Sequence, residues 1–441
     1  MEDNIRETTS KIGNWMRDSI LFKSMAIGFL VLILLIPIAM IHNLIWERQA
    51  RAQEAIQEVS AFWGGPQTIT GPVLTVPYLE WVEINNERSS IQRMAFFLPQ
   101  QLQVKGDAKH QIRKRGIYDV ILYQSDLNLT GAFEKPNFSA LHINPENVLW
   151  DQARLSVGIT GMEGIKNMIN FDWNGTEFRM EPGTASAELL PSGVSKEVPL
   201  SGDKTSFTFS IPLRINGSQS LRFEPVGQET AVDLRSDWPS PSFEGSFPPE
   251  PREIGPDGFS AHWQVFNLNR PYPQSWTGNQ FQLGSSFGVR LIQPVDEYAK
   301  NERSAKYGIL IVGLTFLIYF FFETLRKFHI HPFQYLLIGL ALSIFYLLLL
   351  SLSEQLGFNL AYLIGSVATI GLISLYSSSI FKNGIMTLQL TLLLALIYGF
   401  VFVVLQLEDF ALLAGSIGLF AALAAVMYYS RRVDWYNLKG S

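Results

Sequence analysis

The chain has 441 residues, of which 47% are hydrophobic and 17% are charged; its formal net charge is −5, and it contains no cysteine. Without cysteine, thiol catalysis, thiolate metal sites and iron–sulfur clusters are excluded. An acidic chain without a basic stripe also lacks the clustered cations that displace counterions from nucleic acid. No nucleic-acid partner is therefore expected.

Six long apolar runs divide the chain. The first uncharged run is 24–46, and the others lie near 307–322, 332–353, 355–381, 383–407 and 410–430. Each is close to the roughly 20 residues that a helix needs to cross a hydrocarbon core. The predicted fold class is a membrane protein with six transmembrane α-helices and a large β-rich extracytoplasmic domain between helices 1 and 2. The alternative, that some runs are core helices of a soluble protein, is disfavoured by their number.

The predicted domains follow from these runs, and the positions of Lys and Arg predict their orientation. The domains are a tail at 1–23, transmembrane helix 1 at 24–46, a periplasmic β-rich domain at 47–306, a five-helix bundle at 307–430 and a tail at 431–441. Both tails and the short loops at 326–327 and 382 contain Lys or Arg, whereas the loops near 354 and 408–409 contain none. Cationic short loops stay in the cytoplasm, so both termini are predicted to be cytoplasmic. A signal peptide cleaved at Ala50-Arg51-Ala52 is the alternative for the first run.

The inserted domain changes from a helical to a two-residue period. Residues 47–62 are expected to continue the first helix until Gly64-Gly65-Pro66 ends it. Asn174-Gly175 predicts a type I′ hairpin, and Asn216-Gly217-Ser218 predicts a second turn with Leu221 and Phe223 on the returning strand. Alternating apolar residues predict half-buried strands at Met94, Phe96 and Leu98, at Leu127, Leu129 and Phe133, and from Phe207 to Ile215.

The candidate partner-binding residues lie in a proline-rich segment and in the first hairpin. Residues 238–256 contain six prolines, which cannot donate to a sheet ladder. The segment is predicted to be an extended connector or a cover for a sheet edge, with a recognition surface as the alternative. The candidate binding side chains are Trp238, Pro248, Pro249 and Trp173.

The C-terminal bundle lacks the mid-membrane ionisable residues that ion-coupled transporters use. Glu323 and Glu354 are expected at span ends, in contact with water. The most polar intramembrane stretch gives a candidate path at Ser374, Tyr376, Ser377 and Ser378. Small residues four apart instead predict close helix packing, at Gly339 and Ser343, Gly365 and Thr369, and Gly418 and Ala422.

The sequence has neither a zinc-protease motif nor a phosphate-loop motif. The histidines form no H-E-x-x-H arrangement, and the glycine-rich run 158–164 lacks the Lys-Ser/Thr of a phosphate loop. We therefore predict no enzyme activity, no cofactor and no metal site. A membrane-anchored hydrolase would need His262 or His142 to meet an acidic partner in a cleft.

Several runs resemble the CreD family of bacterial inner-membrane proteins, and together they extend from about residue 46 to residue 436. The resemblance implies a cytoplasmic-membrane protein linked to cell-envelope integrity, under a two-component envelope stress response, with effects on colicin tolerance. It implies no known enzyme activity, cofactor or catalytic residue. The tail at 1–18 extends beyond the family pattern. The matching runs include GPVLTVPY from Gly71, GIYDVILYQSDLNLTGAF from Gly116, SDWPSPSFEGSF from Ser236, AKYGILIVGLTFLIYFFFETL from Ala305 and RRVDWY from Arg431.

The preferred hypothesis is an envelope-integrity or stress-adaptation protein that acts by binding without catalysis. Its β-rich domain would bind an envelope protein, lipid or glycan, while the bundle lies in the lipid bilayer. Whether it forms a homo-oligomer is left open. The alternative is a permease or lipid exporter with a path through the C-terminal bundle.

Overall fold

The computed structural model describes residues 20–84, 87–200, 204–291, 297–326, 329–407 and 410–431. Two compact units divide the chain: a membrane unit within 1–51 and 295–441, and a β domain at 52–294. The N-terminal residues before 20, Lys327, Glu408, Asp409 and the residues after 431 lie outside the described residues, so the predictions made for them stay predictions.

Helices account for the described part of the membrane unit. Within the described ranges, six segments are long and apolar enough to cross a membrane, with α2 and α3 counted as one. This finding, together with the two-sheet β domain, confirms the predicted fold class. The first helix continues past residue 47, as expected, and ends where Gly64 and Gly65 adopt positive φ and both donate to the Ser60 carbonyl. The helices are α1 (Ile20–Trp63), α2 (Glu297–Lys306), α3 (Gly308–Arg326), α4 (Pro332–Leu356), α5 (Phe358–Phe381), α6 (Gly384–Gln406) and α7 (Ala411–Ser430).

Small residues let the membrane helices approach closely. A Cβ added at Gly339 would lie 2.1 Å from the Leu34 side chain of α1, and one at Gly418 would lie 2.1 Å from the Phe400 ring of α6. Neither glycine position has room for a side chain, because Cβ atoms in real structures lie more than 3.0 Å from neighbouring atoms. The prediction that small residues support helix packing is therefore confirmed at these two positions.

Two ion pairs connect α1 to the bundle, one near each end of the span. Lys23 Nζ lies 2.9 Å from Glu323 Oε1, and the Glu323 side chain is only 5% exposed. Arg48 Nε lies 3.9 Å from Glu354 Oε1, on a side chain that is 11% exposed. The expectation that water solvates both carboxylates is wrong, because protein side chains surround them. Lys23 and Arg48 are 25 residues apart, which corresponds to about 37 Å of helix. This length exceeds a hydrocarbon core of about 30 Å, so the two pairs fit at opposite membrane surfaces.

Tyrosine hydroxyls complete the surroundings of both carboxylates. Tyr335 donates to Glu323 Oε2 at 3.1 Å, and Tyr298 donates to Glu354 Oε1 at 3.0 Å. Each carboxylate, buried in Glu323 and slightly exposed in Glu354, thus has one cation and one neutral donor, the arrangement that offsets the cost of removing a charge from water.

The β domain contains two sheets that share one hydrophobic core. The first sheet has the order β13-β17-β11-β1-β5-β9-β8, with β2 paired to β1 and β16 paired to β2; the second has the order β14-β15-β12-β3-β4-β10-β6-β7. In β10, outward and buried residues alternate as predicted. The strands are β1 (Gln67–Ile84), β2 (Glu87–Phe97), β3 (Gln101–Arg115), β4 (Tyr118–Glu134), β5 (Arg154–Ile159), β6 (Asn170–Trp173), β7 (Thr176–Arg179), β8 (Glu181–Pro182), β9 (Gly193–Glu197), β10 (Ser206–Ser218), β11 (Ser220–Glu224), β12 (Glu229–Ser236), β13 (Pro241–Gly245), β14 (Arg252–Gly255), β15 (Gly258–Phe266), β16 (Ser275–Thr277) and β17 (Phe287–Leu291).

One of the two predicted hairpins is confirmed. Asn174 and Gly175 both have positive φ, and Phe171 pairs with Phe178 across the turn. The second prediction is wrong, because 216–218 continue the ladder of β10 with β4. The chain turns at Gln219 (φ 61°) and enters the other sheet, where β11 pairs with β1 and β17.

The side-chain amide of Gln67 joins three parts of the β domain. Its Nε2 donates to the carbonyls of Gly64 (2.8 Å), Gly161 (2.9 Å) and Asn216 (3.1 Å), and its Oε1 accepts from Gly161 N–H (3.1 Å). These groups belong to the end of α1, the loop after β5, and β10. A Cβ at residue 161 would lie 1.8 Å from the Gly64 oxygen. The glycine-rich run 158–164 thus serves this junction.

The Lys23–Glu323 pair gives a stability prediction. Lys23→Met leaves the Glu323 carboxylate buried without a cation, so we expect the free energy of unfolding to fall by about 3 kcal/mol. Adding Glu323→Gln should restore most of that loss, because no buried charge remains. The measurement is denaturant unfolding of the full-length protein in detergent micelles.

A matched control for this prediction is Arg51→Met. This variant breaks the Glu47–Arg51 pair of the same helix, whose side chains are both more than half exposed, so the expected change stays within about 0.5 kcal/mol. Equal losses in Lys23→Met and Arg51→Met would contradict the assignment.

Candidate functional site

Among the described residues, no group of three or more His, Asp or Glu is placed to hold a metal ion. His262 Nδ1 lies 2.7 Å from Asp233 Oδ1, and the two residues are directly opposite in β15 and β12. Both face outward, on the side of the strand opposite buried Trp263. The acidic partner that the hydrolase hypothesis required is present, but on an open sheet face.

The four candidate partner-binding residues do not form one surface. The Trp173 ring stacks on Phe207, and its Nε1 donates to the Pro199 carbonyl at 3.1 Å. Trp238 is also buried and donates to the Ser240 carbonyl at 3.0 Å. Of the two candidate prolines, Pro249 is buried and Pro248 is exposed. Three of the four side chains therefore fill the interior, since their rings complete the packing around the sheets.

The proline-rich segment itself lies at sheet edges, as one of its interpretations predicted. Strand β13 is the edge of the first sheet, and β14 is the edge of the second. Edge strands tolerate proline because one side of the strand needs no ladder donor.

The four candidate path residues make different contacts. Ser377 is buried against the Tyr319 hydroxyl of α3, whereas Ser374 lies 2.7 Å from the Thr391 hydroxyl of α6. Ser378 is exposed and donates to the Leu375 carbonyl of its own helix at 2.7 Å. At about 100° per residue, the three serines share one face of α5, and Tyr376 projects from another face. The three serine hydroxyls thus bind neighbouring helices or the backbone of α5.

The β domain contains a buried polar cluster that sequence analysis missed. Glu224 Oε1 accepts from the Tyr272 hydroxyl (2.9 Å) and from Ser285 N–H (2.8 Å). The guanidinium of buried Arg270 donates to the Val226 carbonyl at 3.3 Å. Burial raises the pKa of Glu224, although these donors and the Arg270 charge partly oppose the rise. The cluster joins the loop after β11 to the loop after β15. No local sequence pattern predicts it, because its members are distant in the chain.

A protruding two-stranded ribbon is the strongest candidate binding surface. We define the free ribbon as residues 79–83 of β1 and 88–92 of β2. Strand β1 pairs with β5 only as far as Thr75, and β2 pairs with β16 only from Ala95 onward. Over the described ribbon residues, the two strands pair with each other, and their outer edges have no ladder partner. Trp81 is 58% exposed there, and the Ile91 side chain is also exposed.

A second ribbon is already used within the β domain. Strands β3 and β4 pair with each other alone beyond Ala108 and before Leu122. There the Arg115 guanidinium lies 2.8 Å from Glu58, and the Arg113 guanidinium lies over the Trp63 ring. Glu58 and Trp63 belong to the last turns of α1. In the free ribbon, Trp81 Nε1 forms a 3.4 Å hydrogen bond to Asn147 Oδ1, and no ion pair to another element is found among its described residues. The two ribbons therefore differ in availability to a partner.

The buried carboxyl of Glu224 gives a pH prediction. Its pKa in the fold lies above the ordinary value of 4.5, so the stability it contributes is complete below that pH and is lost as pH rises through the folded pKa. Glu224→Gln keeps an acceptor and removes the titration. Relative to the parent, this variant should gain stability as pH rises from about 4 to about 8, measured as the tryptophan-fluorescence midpoint of denaturant unfolding of the full-length protein.

Asp237→Asn provides a control of opposite sign. Burial acts to raise the pKa of Asp237, but hydrogen bonds from the His110 backbone and ring lower it overall. The stability that the Asp237 carboxylate contributes is therefore present at pH values above its ordinary pKa of 3.8. This contribution is lost as the pH falls through the pKa in the folded state. A parallel pH response of both variants would contradict the two assignments.

Comparisons with known proteins agree with this architecture. The family described as "Inner membrane protein CreD" matches residues 19–436. The chain is 34% identical to Inner membrane protein CreD of Escherichia coli (strain K12) over 440 residues, which cover 96% of this chain and 95% of that protein. With its six apolar helices, the protein is a multi-pass inner-membrane protein. The chain belongs to the CreD family.

Proposed function

We propose that this protein maintains the cell envelope under stress by binding an envelope component through its β domain, without catalysing a reaction. The observation that carries the proposal is the free ribbon, which has two open backbone edges and an exposed tryptophan. The partner that fits this chemistry is an extended segment of an envelope protein, added as a further strand. An envelope lipid or glycan is the competing occupant.

The ribbon is suited to selective rather than general pairing. An isolated pair of strands is marginally stable in water, so a third strand would stabilise it. Charged side chains on a sheet edge oppose uncontrolled self-association. The ribbon has such charges in Glu80, Glu83 and Arg88, and Glu80 forms an ion pair at 2.8 Å with Arg93, the residue that follows the ribbon. Trp81 would then supply the buried aromatic contact that dominates many interfaces.

The proposal requires the β domain to face the periplasm. Its support is the cation distribution, because Lys23, Arg326, Lys382 and Arg431 all fall at predicted cytoplasmic ends of the spans.

The absence of cysteine makes this orientation directly testable. A single cysteine introduced as Trp81→Cys should react with a membrane-impermeant maleimide in intact cells with a permeabilised outer membrane. A cysteine at exposed Arg326 should react only after the inner membrane is opened. Labelling of the Arg326→Cys protein in intact cells, with Trp81→Cys protected, would reverse the orientation and contradict the proposed function.

The binding surface can be tested by crosslinking in cells. A photo-reactive amino acid at Trp81 or Ile91 of the full-length protein should form a discrete protein adduct. The control is Leu268, which is 92% exposed on another loop of the same domain and should form none. Truncating a hot-spot aromatic residue costs at least about 2 kcal/mol, and Trp81 has that place in the proposal, so Trp81→Ala should reduce the adduct at Ile91 about thirtyfold.

The crosslinking outcomes separate the competing occupants. Identical adducts at all three positions would contradict a specific surface, and no adduct at Trp81 and Ile91 would contradict the use of the ribbon. A lipid or glycan adduct, identified by mass, would replace the strand-addition mode.

The permease or lipid-exporter alternative places its path at Ser374, Tyr376, Ser377 and Ser378. The three serines share one face of α5, but their hydroxyls already contact Tyr319, Thr391 and the Leu375 carbonyl. The membrane unit does contain an apolar groove, but at other helices.

A further inference from the structure

We propose that a groove between α3, α6 and α7 binds one acyl chain of an anionic phospholipid, with the lipid phosphate at Lys306. This inference goes beyond the proposed function, because it concerns the membrane unit and a different ligand. The occupant is a diacyl phospholipid of the surrounding bilayer.

The groove is large enough for a chain and almost entirely apolar. Its volume is about 570 Å³, within the range of small-molecule sites. Apolar side chains of all three helices line it, among them Leu314, Val404 and Leu419. Ser416 also lines it, but its hydroxyl donates to the Leu413 carbonyl of its own helix. A cavity with so few polar partners does not hold water well, whereas a hydrocarbon chain suits it.

The groove occupies one leaflet. The helices run in alternate directions, and each contributes residues from the same end: 306–317 of α2 and α3, 400–404 of α6, and 411–419 of α7. From 306 to 317 the helix rises about 16 Å, which is half of a hydrocarbon core of about 30 Å. The groove is therefore about as long as the acyl region of a single leaflet.

Protein side chains leave the floor of the groove open. A Cβ added at Gly313 would meet no atom within 4 Å, and one at Gly415 would meet only the Tyr307 hydroxyl at 3.9 Å. Helix α7 has no buried residue among those described, and its close approach to α6 is through Gly418 and Phe400. Two glycines thus widen the space beside a helix that packs loosely.

A cation lies at the polar end of the groove. Lys306 is exposed and lines the cavity, and its Nζ is 2.9 Å from Glu302 Oε1. An ammonium group has three donors, so the Glu302 contact orients the side chain and leaves donors for a phosphate. Charge complementarity therefore selects an anionic headgroup, and the apolar groove selects its chain.

Photo-crosslinking with a defined lipid tests the proposal. The full-length protein is placed in nanodiscs containing phosphatidylglycerol with a diazirine on one acyl chain, and adducts are mapped to peptides. We expect adducts concentrated in 306–317 and 411–419. Filling the groove with Gly313→Leu and Gly415→Leu should reduce these adducts about tenfold, which corresponds to about 1.4 kcal/mol. The matched control is Gly371→Leu on α5, another position where a Cβ meets no atom within 4 Å.

The headgroup contact has its own pair of variants. Lys306→Gln should reduce the preference for phosphatidylglycerol over phosphatidylcholine carrying the same diazirine chain to about one, whereas Arg326→Gln, at the opposite end of α3, should preserve it. If the double glycine variant fails to fold by circular dichroism and gel filtration, Gly313→Leu alone replaces it.

Three results would overturn the inference. They are adducts spread evenly over all helices, unchanged adducts in the filled variants, and a crosslinked dimer through α7 in place of lipid adducts. None of these results alters the expected crosslinks of the free ribbon, so failure of this inference is distinguishable from failure of the proposed function.

Discussion

The pairing of charges near both ends of the membrane-crossing part of α1 is the interaction on which the membrane unit depends. A carboxylate removed from water costs several kcal/mol unless a cation and donors surround it. Glu323 and Glu354 are surrounded in this way by Lys23 and Arg48, each with a tyrosine hydroxyl. The two pairs fix α1 along its axis, because a shift by one helical turn would leave four charges unpaired. Close contacts such as Leu34 against Gly339 then become specific.

In the β domain, the buried groups that need partners are mainly backbone carbonyls. Two sheets meeting the end of a helix leave backbone carbonyls that must be satisfied away from water. The Gln67 amide satisfies groups from three segments at once, and glycines around it make room for the approach. Glu224 and Arg270 perform the same task at the loops near Tyr272. A few polar groups, each bonded to several segments, thus satisfy buried backbone groups at the junctions of a hydrophobic core.

Sequence patterns predicted what depends on local chemistry. Apolar length predicted the six spans, and Asn174-Gly175 predicted its hairpin, because the turn conformation is a property of those two residues. The turn at 216–218 was predicted wrongly, since the parallel pairing of β11 with β1 joins residues about 150 positions apart and leaves no local signal. The candidate site was predictable to a lesser degree. Trp81, Trp173 and Trp238 are equally prominent in the sequence, and only the extent of each ladder shows which ring is exposed.

The order of strands in the first sheet has a consequence for biosynthesis. Strand β17 is inserted between β13 and β11, and it is the last strand of the domain to be made. Until the ribosome has added residues 287–291, two strand edges that are interior in the finished sheet remain unpaired. Contacts of such high sequence separation form slowly, and bare edges invite aggregation. The nascent domain therefore exposes unpaired strand edges for longer than a domain built from consecutive hairpins.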